Sequence, residues 1–281
     1  MHAEIATAAG SVGQPNEDWV GVTPIAVVLL DGLTAPRDLD SGCVHGVHWY
    51  VSRLGSAILA RIADCTVGLE SCLASSIAEV ASLHDNTCDL TSPGTPQSTV
   101  AVVRVRGSEL EWLVLADSMI ILDLDGELRV ISDNRVDGAA QAQRDEALRS
   151  HVGTAEHDQG VSRLVQTQRS LRNQPGGYWV AAADPATANE ALSGAVPLSE
   201  VKRVAVLSDG AARLVEFGIV GWEQILTTLD QKGPQGLIDE VRGVEATDLE
   251  GARWPRYKAS DDATGVVIKF EGMPVPQPLN G

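Results

Sequence analysis

Two Asp-Gly steps stand where apolar runs end. Ile25-Ala26-Val27-Val28-Leu29-Leu30 leads into Asp31-Gly32, and Val204-Ala205-Val206-Leu207-Ser208 leads into Asp209-Gly210. The acidic pair Glu17-Asp18 precedes the first step, and a second pair, Asp261-Asp262, precedes the apolar run from Gly265 to Phe270. Short apolar runs read as buried strands, which fixes each carboxylate at a strand end. Carboxylates converging in a partly dry site need their charge neutralised, and a hard divalent cation does this with oxygen ligands. The pattern predicts a metal centre whose ligands come from the whole length of the chain. Taken singly, each Asp-Gly step also reads as an ordinary turn.

The elements that would position these residues follow from periodicity. Strands are expected at His2 to Ala8, Trp19 to Thr23 and Ile25 to Leu30. After Pro36, apolar residues recur every three or four positions over His45 to Ala63 and again over Leu69 to Leu83, the mark of two amphipathic helices. Four strands joined by hairpin turns follow at Ser98 to Arg106, Leu110 to Leu115, Met119 to Leu124 and Leu128 to Ile131. Along them Glu109, Glu111 and Asp123 alternate with apolar neighbours and read as a solvated face. Gln141 to Asn173 is polar and helical; Tyr178 to Ala183 and Val201 to Leu207 return to strand. Helix resumes at Trp222 to Asp230 and Gly236 to Val241, and a last strand runs from Val266 to Phe270. Hairpins outnumber βαβ alternation, which favours antiparallel sheets covered by helices. Candidate ligands in both the first and the last third argue for a single domain over 1–281, with its core at 3–270. The Pro-rich tail, 273–281, is expected to be loose.

Charge and composition bound the partners. The 281 residues carry a net charge of −17, from 38 acidic and 21 basic side chains, which argues against nucleic acid and anionic membranes. A phosphorylated substrate would be attracted only by a local cation. No apolar run approaches the roughly 18–20 residues of a membrane span, and no secretory signal pattern opens the chain. Cys43, Cys65, Cys72 and Cys88 show no Cys-x-x-Cys or Cys/His zinc spacing, and read as reduced thiols of a cytoplasmic protein.

In order, the landmarks are Asn16-Glu17-Asp18, Leu30-Asp31-Gly32, Gln97-Ser98-Thr99-Val100, Ala116-Asp117-Ser118, Leu207-Ser208-Asp209-Gly210 and Asp261-Asp262-Ala263-Thr264. This series resembles the motifs of the metal-dependent protein phosphatases (the PPM or type 2C family), over about residues 3 to 270. The resemblance implies an α+β fold: a four-layer αββα sandwich of two antiparallel sheets with helices on both outer faces. It implies two Mn2+ or Mg2+ ions at one edge. Asp31 would bridge them; Glu17 and the Gly32 carbonyl would serve one ion, Asp209 and Asp261 the other. Asp117 would match the ligand of a third ion, and Asp18 would orient a metal-bound water. Two cations lower the pKa of a shared water enough to supply hydroxide near neutral pH, which then attacks phosphorus in line. The implied activity is hydrolysis of a phosphomonoester on a phosphoprotein or a small molecule.

The chain departs from the family pattern around that centre. Gly13 stands where active members carry an arginine that grips phosphate, and Arg37 is the nearest candidate to replace it. Leu33 follows Asp31-Gly32 where some members have a histidine acting as general acid; His45 and His48 are candidates for that role, or else polar residues of a first helical turn. Cys43 beside His45 admits a thiol nucleophile, or simply a small residue at a helix entrance. Asp262 replaces the usual Asn and adds a carboxylate. Two alternatives to a protein phosphatase stand beside it: a pseudophosphatase that binds a regulatory partner, and a metalloenzyme acting on a small molecule without phosphate.

Overall fold

The computed structural model describes residues 1–33, 41–84 and 87–270; Arg37 and the tail at 273–281 lie outside the described residues. Ten strands form: β1 (His2–Ala8), β2 (Trp19–Val22), β3 (Ala26–Leu30), β4 (Val100–Arg106), β5 (Glu109–Leu115), β6 (Met119–Leu124), β7 (Glu127–Ile131), β8 (Leu192–Pro197), β9 (Val201–Leu207) and β10 (Ala263–Lys269). Among the described residues they make two five-stranded sheets, in the orders β1-β10-β9-β6-β7 and β2-β3-β4-β5-β8, with every neighbouring pair antiparallel. The first and last strands thus share one sheet.

Strand alternation builds the layers. All five residues of β3 are buried, but they divide by parity. Val27 and Leu29 face the other sheet, meeting Ile120, Val204, Val206 and Val266, while Ala26, Val28 and Leu30 face helices on the outside. A strand buried on both faces reads as a continuous apolar run, which is why β3 and β9 were so plain in the sequence. Helices α1 (Val47–Ile62) and α2 (Leu69–Ser82) cover the β3 sheet with Tyr50, Val51, Leu54, Ile58, Leu73 and Ile77. On the other sheet, α6 (Asp209–Glu216) and α7 (Trp222–Ala246) press Leu214, Ile225, Leu229 and Leu237 onto Ile121, Ala205 and Val267. The result is the expected αββα sandwich. Between β7 and β8 lie α3 (Arg135–Gly138), α4 (Gln141–Ala147) and α5 (Ala155–Leu171).

Several local expectations are corrected. Gln141 to Asn173 is two helices, α4 and α5. Tyr178 to Ala183 forms no ladder, only isolated bridges of Tyr178 to Arg172 and Ala181 to Ser98. Asn173 is the reason: it turns the chain at φ 52°, and its side-chain oxygen takes the Val180 N–H. The edge strand β8 and helix α6 were not foreseen, because Ser193-Gly194-Ala195 carries little apolar signal and Asp209-Gly210 reads as a turn. The two expected C-terminal helices do form within Trp222–Ala246, separated by the non-helical Gly233 (φ 67°) before Pro234. Glu111 is not solvated. It pairs with Arg104, which is 0% exposed, through two bonds of 2.6 and 2.8 Å, and with Arg106 at 2.7 Å. The Arg104 guanidinium also donates to the carbonyls of Ile62, Asp64 and Val67, closing the α1–α2 connection.

Candidate metal centre

Strand ends from both sheets meet at one edge of the sandwich. Asp31 follows β3; its N–H donates to Thr99 Oγ1 (3.1 Å), and its carbonyl accepts the Thr99 N–H (2.9 Å). Thr99 Oγ1 lies 2.6 Å from Ser118 Oγ, which joins the start of β4 to the turn before β6 and therefore one sheet to the other. The Gly32 N–H donates to the Glu17 carbonyl (3.1 Å), and a Cβ at Gly32 would collide with Val47 and stand 2.7 Å from that carbonyl oxygen. Only glycine fits there, which is the physical content of the Asp-Gly step. Likewise a Cβ on Gly210 would strike the Asp262 carbonyl, so α6 presses directly on the segment that presents Asp261. Asp209 is the first residue of α6, where the helix N-terminus favours negative charge.

The carboxylates converge. Asp31 and Asp209 lie close enough for each to act on the other's carboxyl. Loss of water, followed by the charges of Asp18, Asp209, Asp261 and Asp117, holds the Asp31 carboxyl well above the usual range. Desolvation and then Asp261 raise Asp209, while Arg213 works against the rise. Desolvation also pushes Asp18 and Asp117 up to about 7, with Asp209 adding to both. Asp18 is buried behind this group. Ser208 Oγ donates to its Oδ2 (2.9 Å) and accepts the Thr264 N–H (2.9 Å). Thr264 is tied in turn through Thr7 (2.7 Å) to Asn16 (2.7 Å). Asp117 follows Ala116, a residue with φ 68°, in the left-handed region where the family motif has glycine.

These residues fit a divalent cation on two grounds. Asp18 Oδ1 is buried with no hydrogen-bond partner among the described residues, an orphaned acceptor that a bound water or cation would satisfy. The donor set is also all hard oxygen. Asp261 is shared: Lys258 Nζ stands 2.8 Å from Oδ1 and Arg213 3.5 Å from Oδ2. Desolvation disfavours the Lys258 charge, but Asp261, Asp209 and Asp31 outweigh it and raise its pKa. The Lys258 side chain is 50% exposed, so it can turn away to free Asp261. Arg213 is fixed by Glu245 (2.5 Å), which Arg242 also holds at 2.7 Å.

A cavity of about 730 Å³ opens from Asp31, Asp117, Asp209 and Asp261 towards α3, α4 and α5. Among the described residues, five cationic side chains line it. Four are paired with acids: Arg144 with Asp137 (2.7 Å), Arg256 with Asp248 (3.1 Å), Arg213 with Glu245, and Lys258 with Asp261. Arg172 instead meets neutral groups, donating to the Tyr178 hydroxyl (2.8 Å) and the Gln97 amide oxygen while lying over the Tyr178 ring.

The other expected site residues fall elsewhere. Glu17 lies beside Gly32 without lining the cavity, its N–H held by Asp262 Oδ2 (2.6 Å). Asp262, also bonded to the Gly10 N–H (2.8 Å), braces two backbone segments. Neither His45 nor His48 lines the cavity: the exposed His48 ring bonds the Asn16 carbonyl (2.9 Å), and His45 sits with Cys43 and Cys88. Cys43 is likewise outside it. Gly13 occupies an exposed turn at φ 81° with open space around it. Arg172, Arg213 and Lys258 went unread in the sequence. Only Arg213, one helical turn after Asp209, carried a spacing that could have exposed it.

Protein phosphatase 2C is the description of the family profile that matches residues 7–235. The chain belongs to that family. Solved structures share the fold of this bacterial-type PPM member at low identity. The catalytic domain of the serine/threonine phosphatase PstP, in complex with two manganese ions, is 17% identical with a TM-score of 0.54, covering 95% of this chain and 96% of that one. MsPP from Mycobacterium smegmatis is 18% identical (TM-score 0.55, covering 96% and 98%), and Stp1 from Staphylococcus aureus 14% identical (TM-score 0.57, covering 96% and 95%). No curated protein matches the chain. Family and fold point to a phosphatase-type hydrolase. Among the described residues, no helix of this PPM member is long and apolar enough to cross a membrane.

Proposed function

We propose that this family member is a Mn2+- or Mg2+-dependent phosphatase of phosphoserine or phosphothreonine proteins in the cytoplasm. The supporting observation is the convergence of Asp31, Asp209 and Asp261 on one cavity that also carries cations on its wall. Asp31, Asp209 and Asp261, with Glu17 and the Gly32 carbonyl, would hold two ions, and Asp117 a third. Bound there, the cations would supply positive charge for the phosphoryl oxygens and acidify water. The rest falls to the chain. Ser208, held in turn by Thr264, fixes Asp18 so that Oδ1 can accept a proton from water. Arg172, whose partners among the described residues are neutral, is the fork that would receive the phosphate in place of the arginine missing at Gly13. Tyr178 and Gln97 pre-orient its guanidinium.

The test is turnover of p-nitrophenyl phosphate and of a phosphothreonine peptide by purified protein with Mn2+. Activity that Asp31→Asn abolishes, and an Arg172→Ala variant whose KM rises about 10-fold or more with kcat kept, would support the reading. Bound Mn2+ without turnover of either substrate would replace it with the regulatory-module reading, which Gly13 favours.

A further inference from the structure

Far from the carboxylate edge in chemistry, four softer side chains come together. Cys43 and His45 precede α1; His84 and Cys88 follow α2. One ligand atom from each lies within 4.8 Å of all the others. His45 Nδ1 is 3.7 Å from Cys43 Sγ and 3.4 Å from Cys88 Sγ. A tetrahedral zinc ion with Zn–S of about 2.3 Å and Zn–N of about 2.0–2.1 Å places sulfur and nitrogen roughly 3.5 Å apart. The observed separations straddle that value.

His84 supplies an independent observation. His84 is 3% exposed, its Nδ1 bonds the Val80 carbonyl at 2.9 Å, and its Nε2 is buried with no hydrogen-bond partner among the described residues. A backbone carbonyl on one ring nitrogen fixes the tautomer that leaves the other as a lone pair, the usual support of a metal-ligating histidine. The surroundings are also built to hold the group still. The His45 ring stacks on Trp49 (4.1 Å between centroids), and the His84 ring meets both edge-on. The His45 N–H approaches Cys43 Sγ at 3.4 Å, and the Asp89 N–H donates to the Gly42 carbonyl at 2.7 Å, binding the two ligand segments together.

We propose that Cys43 Sγ, His45 Nδ1, His84 Nε2 and Cys88 Sγ form a structural zinc site. Two thiolates and two imidazoles in tetrahedral array select zinc over the hard cations suited to the carboxylate edge. Four protein ligands leave no open position, so the ion fastens rather than catalyses. It ties the entrance of α1 to the exit of α2. That entrance carries Val47, which packs on Gly32, and His48, which holds Asn16. The zinc site therefore braces the outer wall of the carboxylate edge without joining it. Loading Zn2+ onto the reduced protein converts two thiols to thiolates and releases their protons to solvent.

The test uses the full chain, reduced and stripped of metal, then titrated with Zn2+ or Co2+ alone. One equivalent should bind tightly at the thiolates, ahead of weaker binding at the carboxylate edge, with release of about two protons below the thiol pKa. Co2+ should give the visible bands of a tetrahedral ion and a thiolate charge-transfer band. Cys88→Ser should lose both the charge-transfer intensity and the tight equivalent, while Asp31→Asn keeps them. His84→Cys should still bind and strengthen the thiolate band, which separates ligation from folding. Folded, reduced wild type that takes up no stoichiometric Zn2+, or Zn2+ binding unchanged in both Cys43→Ser and Cys88→Ser, would overturn the proposal.

Discussion

The carboxylate edge and the Cys/His corner solve the same problem with opposite means. The edge gathers Asp18, Asp31, Asp117, Asp209 and Asp261 from strand ends and turns across the chain, and loss of water, with mutual repulsion added, raises four of their pKa values. The corner draws on two short segments flanking one helical hairpin, and gathers thiols and imidazoles instead of carboxylates. One site is strained without a cation and open to a cavity; the other is quiet and closed. Rigidity comes from the backbone ladders at the edge, and from side-chain stacking at the corner.

Several experiments would break or sharpen this contrast. The largest effect is expected at the edge. Asp31→Asn or Asp209→Asn should cut Mn2+-supported turnover by at least about 10²–10³-fold in steady-state assays, with zinc content unchanged by elemental analysis. A joint loss of both metals would mean that the two sites are one cooperative unit. Next, Arg104 closes the end of the α1–α2 hairpin opposite the corner, so Arg104→Ala leaves Glu111 buried with only Arg106. Chemical denaturation should show a loss of about 3 kcal/mol, with the zinc ligands still assembled.

The two sites should also answer pH with opposite signs. Asp18 and Asp117 rise from 3.8 to about 7 on folding. The folded state then binds more protons than the unfolded chain between those values, so stability of the metal-free protein falls as pH rises from about 4 to about 7. In a protein of this size each kcal/mol moves the melting temperature by roughly 2–4 °C. Mn2+ should flatten that slope, whereas zinc affinity should climb with pH as its thiols ionise. A metal-free melting temperature that rises over this range would contradict the crowding of carboxylates. The smallest effect is Ala116→Gly. It relieves an alanine at φ 68°, worth about 1–2 kcal/mol, against about 0.5–1 kcal/mol of added chain entropy. Calorimetry should find a gain of under about 1.5 kcal/mol, with Mn2+ binding kept.

What was legible in the sequence follows the same divide. β3 and β9 are apolar runs that end in the acid they present, so Asp31 and Asp209 announced themselves. The sandwich followed from strands whose two faces serve two cores. Cys43 and His45 lie about forty residues from His84 and Cys88, and their meeting depends on the length and packing of α1 and α2, which no local spacing encodes. Arg172 was hidden for a related reason: it sits at the end of a polar helix, and its cavity exists only once α5 is placed. Glu111 misled because alternation reports which side a residue faces, but not whether a buried arginine waits there.

The pairing of β1 with β10 bears on how this molecule is made. A ribosome delivers β9 long before β10, and until residues 263–269 emerge both β1 and β9 present unpaired backbone edges. Contacts such as Glu17 with Asp262, 245 residues apart, belong to a slow-folding, high-contact-order topology. The nascent chain therefore stays without this centre until residues 261–269 have emerged, and chains cut short before β10 should aggregate through those open edges.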